Sequence, residues 1–189
     1  MQGKLIIFSA PSGAGKTSIV RALLEKHHWL EFSVSATSRP MRQGETHGVD
    51  YYFMSPEEFK KRIEINDFLE WEEVYPGSFY GTLRSEVSRI WGKGNHVVFD
   101  VDVAGGLKIK QQFKGDALAV FVMPPSVDVL ENRLRNRKTE TEETLAKRLS
   151  KTRFEISFSN QFDRIIVNDQ LPQAIEEASE LIKDFVHIR

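Results

Sequence analysis

The sequence contains no cysteine, which excludes disulfides, thiolate metal centres and cysteine nucleophiles and leaves the fold to rest on packing. Long apolar runs are missing too: stretches such as Ala117–Met123 fall far short of the roughly 18 residues a membrane span requires. Neither charge sign is in excess, since 26 Lys and Arg stand against 27 Asp and Glu for a net charge of -1. That removes bulk attraction to polyanions, so nucleic acid is not expected as a main partner, and neither is a membrane. The chain runs straight into Lys4-Leu5-Ile6-Ile7-Phe8, without the basic start, longer apolar stretch and cleavage site of a secretory signal. A cytoplasmic protein is the expectation.

What is present suffices for one sizeable core: 189 residues, 40% hydrophobic and 11% aromatic. Four short apolar runs read as buried strands, at Leu5–Ser9, Val97–Val101, Leu118–Met123 and Ile165–Val167. Helical periods lie between and after them, clearest in the stripe Ala174, Ile175, Ala178, Leu181, Ile182 and Phe185 that follows Pro172. Strands alternating with amphipathic helices predict an α/β fold with a mainly parallel sheet between two helical layers.

Two intervals break the rhythm. From 33 to 82 the chain is dense in Ser, Thr, Arg, Tyr and Glu, with one helix entered through Ser55-Pro56-Glu57-Glu58, a capping box with Pro at its first position. From 126 to 153 basic residues outnumber acidic ones. Both read as modules inserted into a core formed by 1–32, 83–125 and 154–189.

The sharpest signal is Ala10-Pro11-Ser12-Gly13-Ala14-Gly15-Lys16-Thr17, placed after the first strand and before a helix carrying Ile19, Val20, Leu23 and Leu24. In G-x-x-x-x-G-K-[ST] loops, glycines let backbone N–H groups converge on phosphate oxygens at a helix N-terminus. Lys16 then reaches the β- and γ-phosphates, and Thr17 holds Mg²⁺. Ala10 stands where the first glycine is usual, but Pro11 steers it to extended backbone, which alanine adopts without strain. A Rossmann reading is weaker, because Ser18 occupies the third glycine position. A GTP hydrolase competes through Asp102-Val103-Ala104-Gly105, a D-x-x-G after a strand, yet no Asn in the chain is followed by Lys, so the guanine-reading N-K-x-D of that class is missing.

The first interval carries Ser35, Arg39, Arg42, Tyr51, Glu70, Tyr80 and Thr82, a set able to hold an anionic head and a hydrogen-bonding base. Arginine forks match phosphate oxygens. A carboxylate such as Glu70 accepts two parallel N–H bonds from the edge that guanine presents and adenine does not.

Together the loop, Ser35-Ala36-Thr37-Ser38-Arg39-Pro40-Met41-Arg42, Asp50-Tyr51, Phe68-Leu69-Glu70-Trp71, Tyr80-Gly81-Thr82, Asp100-Val101-Asp102, Arg133, Arg137, Lys147-Arg148-Leu149 and Ile166-Val167-Asn168-Asp169 resemble the guanylate kinase family across the whole chain. The resemblance implies ATP and GMP as substrates, with Mg²⁺ as cofactor. It implies that residues 33–82 form the GMP-binding module, in which Arg39, Arg42, Tyr51 and Tyr80 hold the phosphate while Ser35, Glu70, Thr82 and Asp102 face the base. ATP falls to the loop from Ala10 to Thr17, with Arg133, Arg137 and Asn168, the last beside adenine. Metal falls to Thr17 and Asp100, and 126–153 becomes a lid. Lys16, Arg42, Arg137 and Arg148 are the catalytic set it implies. Two departures stand out: Pro76-Gly77-Ser78 lengthens the stretch between Glu70 and Tyr80, and Ala104 replaces a common Gln.

Such chemistry is mostly in-line positioning and charge neutralisation. The acceptor oxygen belongs to a phosphate whose second pKa is near 6, so no general base is needed. This agrees with the five histidines, which form no ligand spacing. Closure of both modules on bound substrate, hinged near Ser33, Thr82, Ser126 and Arg153, is expected to exclude water. Two alternatives remain: a scaffolding domain with the same fold, typically with a degraded loop, and a kinase for another nucleoside monophosphate.

Overall fold

A computed structural model describes residues 3–136 and 142–187 of the chain. In chain order the elements are β1 (Leu5–Ser9), α1 (Lys16–Lys26), β2 (Leu30–Phe32), β3 (Ala36–Thr37), β4 (Tyr52–Phe53), α2 (Pro56–Glu64), β5 (Phe68–Tyr75), β6 (Ser78–Leu83), α3 (Arg84–Gly92), β7 (His96–Asp100), α4 (Val103–Phe113), β8 (Ala117–Met123), α5 (Val127–Asn136), α6 (Glu142–Ile156), β9 (Arg164–Val167) and α7 (Leu171–Val186).

The apolar runs make a five-stranded parallel sheet in the order β2-β7-β1-β8-β9. Every residue of β1 is buried, as in a sheet covered on both faces. Its side chains alternate between two cores, as the pleat requires. Ile6 and Phe8 join Ile19, Val20 and Leu23 of α1 and Ala174, Ala178 and Ile182 of α7. Leu5 and Ile7 join Val87 and Ile90 of α3 and Val103 and Ile109 of α4. Each fully buried Leu, Ile or Phe contributes about 2 kcal/mol. The third strand begins at His96 and ends at Asp100, one residue earlier than its apolar run suggests, because His96 pairs with Leu30 on the edge strand β2.

Residues 36–83 carry a second, four-stranded sheet in the order β4-β3-β6-β5. It has its own core of Ala36, Phe59, Phe68, Phe79 and Leu83, with Phe59 stacked on Phe68 at 4.3 Å between centroids. Phe59 comes from α2, which Ser55 caps by accepting from Glu58 N at 3.1 Å. The carboxylate of Glu58 turns to Arg62 at 3.2 Å, so only the serine half of the expected box forms.

The hairpin of β5 and β6 absorbs the lengthened Pro76-Gly77-Ser78 stretch through a register shift between Glu73 and Tyr75, with Gly77 at φ 77°. Glu70 therefore still stands opposite Thr82, and Glu72 opposite Tyr80. Glu86 at the start of α3 ties this sheet to the core. Buried to 2% exposure, it accepts from Val34 N at 2.9 Å, Tyr52 Oη at 2.8 Å and Arg89 Nε at 2.8 Å. Three donors around one carboxylate hold its pKa below the ordinary value despite burial.

Candidate active site

The loop after β1 turns into α1 through Gly13 at φ 93° and Gly15 at φ 95°, which caps the helix in left-handed backbone. Only glycine adopts that region cheaply. Ala10 is absent from the positive-φ residues, as its place before Pro11 predicts. No acidic side chain stands in the first turn of α1, so the positive end of the helix dipole is left for an anion. Lys16 Nζ, held by Asp100 Oδ1, also donates to Val101 O at 3.1 Å, while Thr17 Oγ1 donates to Asp100 Oδ2 at 2.9 Å. The loop from Ala10 to Ser18, together with Asp100, Asp102 and Glu155, lines a cavity of about 350 Å³.

Asn168 and the helices that follow β8 brace this loop. Asn168, at 4% exposure, donates its side-chain amide to Ala14 O at 2.7 Å. A methyl on Gly15 would collide with that amide nitrogen. Arg133 Nη2 on α5 donates to Asn168 O at 3.0 Å, and Arg148 Nη1 on α6 donates to Ser12 Oγ at 3.0 Å. Asn168 thus holds the loop backbone from beneath. Arg137 lies outside the described residues.

A second cavity, of about 250 Å³, adjoins the first across Asp100-Val101-Asp102 and is lined also by Ser35, Tyr51, Glu70, Glu72, Tyr80 and Lys151. The two meet at the carboxyl end of β7, where ligands bind in open α/β sheets. Glu70 is buried, and burial pushes its carboxyl up to about 7 against the opposing hydrogen bond from Thr82 Oγ1 at 2.7 Å. Thr82 itself is 1% exposed, so it acts on the cavity by orienting Glu70.

Arg39, Tyr51 and Tyr80 converge at the rim. The Arg39 guanidinium lies 5.0 Å over the Tyr51 ring, and Tyr51 meets Tyr80 edge-on at 6.0 Å. Both forks of Arg39 engage Glu45, at 2.7 and 2.6 Å, which raises the arginine further and holds the Glu45 carboxyl at about 2. Arg42 is exposed, and its backbone N–H donates to Glu45 at 2.8 Å. Glu45 thus binds the Arg39 side chain and the Arg42 backbone in one turn.

Asp102 caps α4, its Oδ1 accepting from Gly105 N at 2.7 Å; this helix cap accounts for the D-x-x-G spacing. Ala104 lies in the first turn of α4. Three site groups escaped the sequence reading. Glu72 follows Glu70 at strand spacing, and Lys151 and Glu155 follow Arg148 at helix spacing, so each periodicity could have found them. Glu155 is raised by burial, and Glu72 first by its contact with Asp102 and then by burial.

Thr17 and Asp100 offer a hydroxyl and a carboxylate in contact beside the phosphate loop. That all-oxygen set fits Mg²⁺, which typically takes one or two protein ligands and completes its shell with water and phosphate.

The guanylate kinase family model matches residues 2–185. Guanylate kinase of Bacteroides thetaiotaomicron is 52% identical over 187 residues, covering 99% of this chain and 92% of that one. That of Porphyromonas gingivalis is 47% identical, covering 97% and 98%. Among solved structures, guanylate kinase from Anaplasma phagocytophilum superposes with a TM-score of 0.78 at 29% identity, covering 98% of this chain and 87% of that one. With a phosphate loop and an adjoining acidic pocket at the carboxyl ends of the central strands, and relatives matched over nearly their whole length, the chain belongs to the guanylate kinase family.

Proposed function

We infer that this protein transfers the γ-phosphoryl group of ATP to GMP, giving ADP and GDP, with Mg²⁺ as cofactor. The observation that carries the reading is the meeting of two cavities across Asp100-Val101-Asp102, one beneath a phosphate loop and one floored by a buried glutamate. The triphosphate lies along the loop from Ala10 to Thr17, with its terminal phosphates at Lys16 and the N-terminus of α1. The GMP base enters the second cavity, where Glu70 accepts its N1–H and amine. Thr82 fixes that carboxylate, and Ser35 and Asp102 flank it. Arg39, Arg42, Tyr51 and Tyr80 take the GMP phosphate.

Residues 33–82 form the acceptor module and 126–153 the lid over a core of 1–32, 83–125 and 154–189. The Arg39 guanidinium exchanges Glu45 for phosphate as the module closes, so Glu45 keeps that fork ordered beforehand. Transfer is in line: an oxygen of the GMP phosphate bonds to the γ-phosphorus as the bond to the bridging β,γ-oxygen breaks. Lys16, Arg42, Arg137 and Arg148 neutralise charge on the migrating group. Thr17 and Asp100 would hold Mg²⁺, which would supply further charge neutralisation to the triphosphate. No residue need take a proton, because the acceptor phosphate is largely a dianion at neutral pH.

The chain has no helix long and apolar enough to cross a membrane among the described residues. The reading is tested by ADP formation from ATP and Mg²⁺ with GMP, AMP, UMP and dTMP offered in parallel. Turnover with GMP far above the rest is expected; equal rates with AMP, or none with GMP, would refute it.

A further inference from the structure

Guanine presents three N–H groups along one edge: N1–H and the two of its exocyclic amine. One carboxylate accepts two of them in parallel, so Glu70 leaves the third to find another acceptor. A buried N–H without one costs about 1 to 3 kcal/mol.

The pleat of β5 puts Glu72 on the face of Glu70, about 7 Å along the strand, and both line the second cavity. Glu72 Oε2 is buried without a hydrogen-bond partner, and its carboxyl stands against that of Asp102. Asp102 commits Oδ1 to the Gly105 N–H. The pair therefore offers acceptor capacity, at Glu72 Oε2, that no donor among the described residues satisfies. The cations nearest the pair are engaged elsewhere: Lys108 donates to Trp71 O at 3.2 Å, and Lys151 stands 3.8 Å from Glu155. Ser9 Oγ donates to the Asp102 carbonyl at 3.0 Å, leaving the carboxyl itself to face the cavity.

We propose that Glu72, paired with Asp102, is a specificity-determining residue that accepts the second N–H of the guanine amine and so separates GMP from its analogue lacking that amine, IMP. The proposal rests on the second cavity being the GMP site. The amine enters between the two carboxyls and donates one N–H to Glu70 and the other to the Glu72–Asp102 pair. IMP keeps the N1–H bond to Glu70 and makes no use of Glu72.

The test measures GMP affinity by calorimetry and IMP affinity by competition, in wild type and in Glu72→Ala and Glu72→Leu, with folding monitored by thermal melts. Leucine preserves side-chain bulk, so the pair of variants separates lost chemistry from lost packing. The expected result is a fall of about tenfold in GMP affinity in both variants, with IMP affinity unchanged. The GMP-to-IMP ratio then drops by the same factor. A ratio equal to that of wild type, whether both affinities hold or fall together, overturns the role of Glu72. Wild-type turnover of GMP tests the underlying assignment separately.

Discussion

Replacing Glu70 by Gln should make the ligand-free protein more stable at alkaline pH while weakening its hold on GMP. Glu70 is 9% exposed, and burial lifts its carboxyl from 4.5 to about 7. A tenfold change in proton affinity corresponds to about 1.4 kcal/mol, so ionising Glu70 costs the native state about 3 kcal/mol. The sign follows from proton counts. Below pH 4.5 both folded and unfolded chains hold the proton, and Glu70 causes no deficit. Between 4.5 and 7 the folded chain retains a proton that the unfolded chain has lost, so stability falls as pH rises. Above 7 the full deficit is present. Glutamine cannot ionise and still accepts the Thr82 hydroxyl through its carbonyl. Urea unfolding without nucleotide should show the variant gaining about 2 kcal/mol on wild type between pH 5 and pH 8. A gap independent of pH would refute the argument. A carboxylate kept at such cost exchanges stability for recognition.

Two further outcomes follow from the packing around the site. Asn168→Ala removes the amide that holds Ala14 O, so it should lower kcat and raise KM for ATP while leaving KM for GMP unchanged, as steady-state kinetics would show; an effect confined to GMP would contradict its place beneath the loop. Glu86→Ala leaves the Val34 N–H and Tyr52 hydroxyl unpaired and should destabilise the fold by about 3 kcal/mol. A denaturation midpoint equal to wild type would rule out that carboxylate as the tie between the two sheets.

The parallel sheet was legible because β1 and β8 are apolar on both faces, a pattern that few other environments tolerate. The phosphate loop was legible because strand, glycines, lysine and helix must occur in that order to present backbone N–H groups to an anion. Illegible was the second sheet, whose strands β3 and β4 are two residues each and too short to show alternation. The edge strand β2 was hidden for the same reason. Side-chain commitments made across the fold were also out of reach. Nothing local says that Asn168 will turn its amide to Ala14, since that contact joins residues 154 positions apart. Glu45 as the partner of Arg39 is different: six residues separate them, and opposite charges in a tight turn could have been paired from the sequence.

Two adjoining cavities, one for each nucleotide, imply direct passage of the phosphoryl group from donor to acceptor. Phosphorus NMR of the protein with Mg²⁺, ATP and GMP tests that most directly. ADP and GDP resonances should rise in equal amounts, with negligible inorganic phosphate. Inorganic phosphate growing in step with ADP while GMP persists would show the group going to water, and would contradict the account.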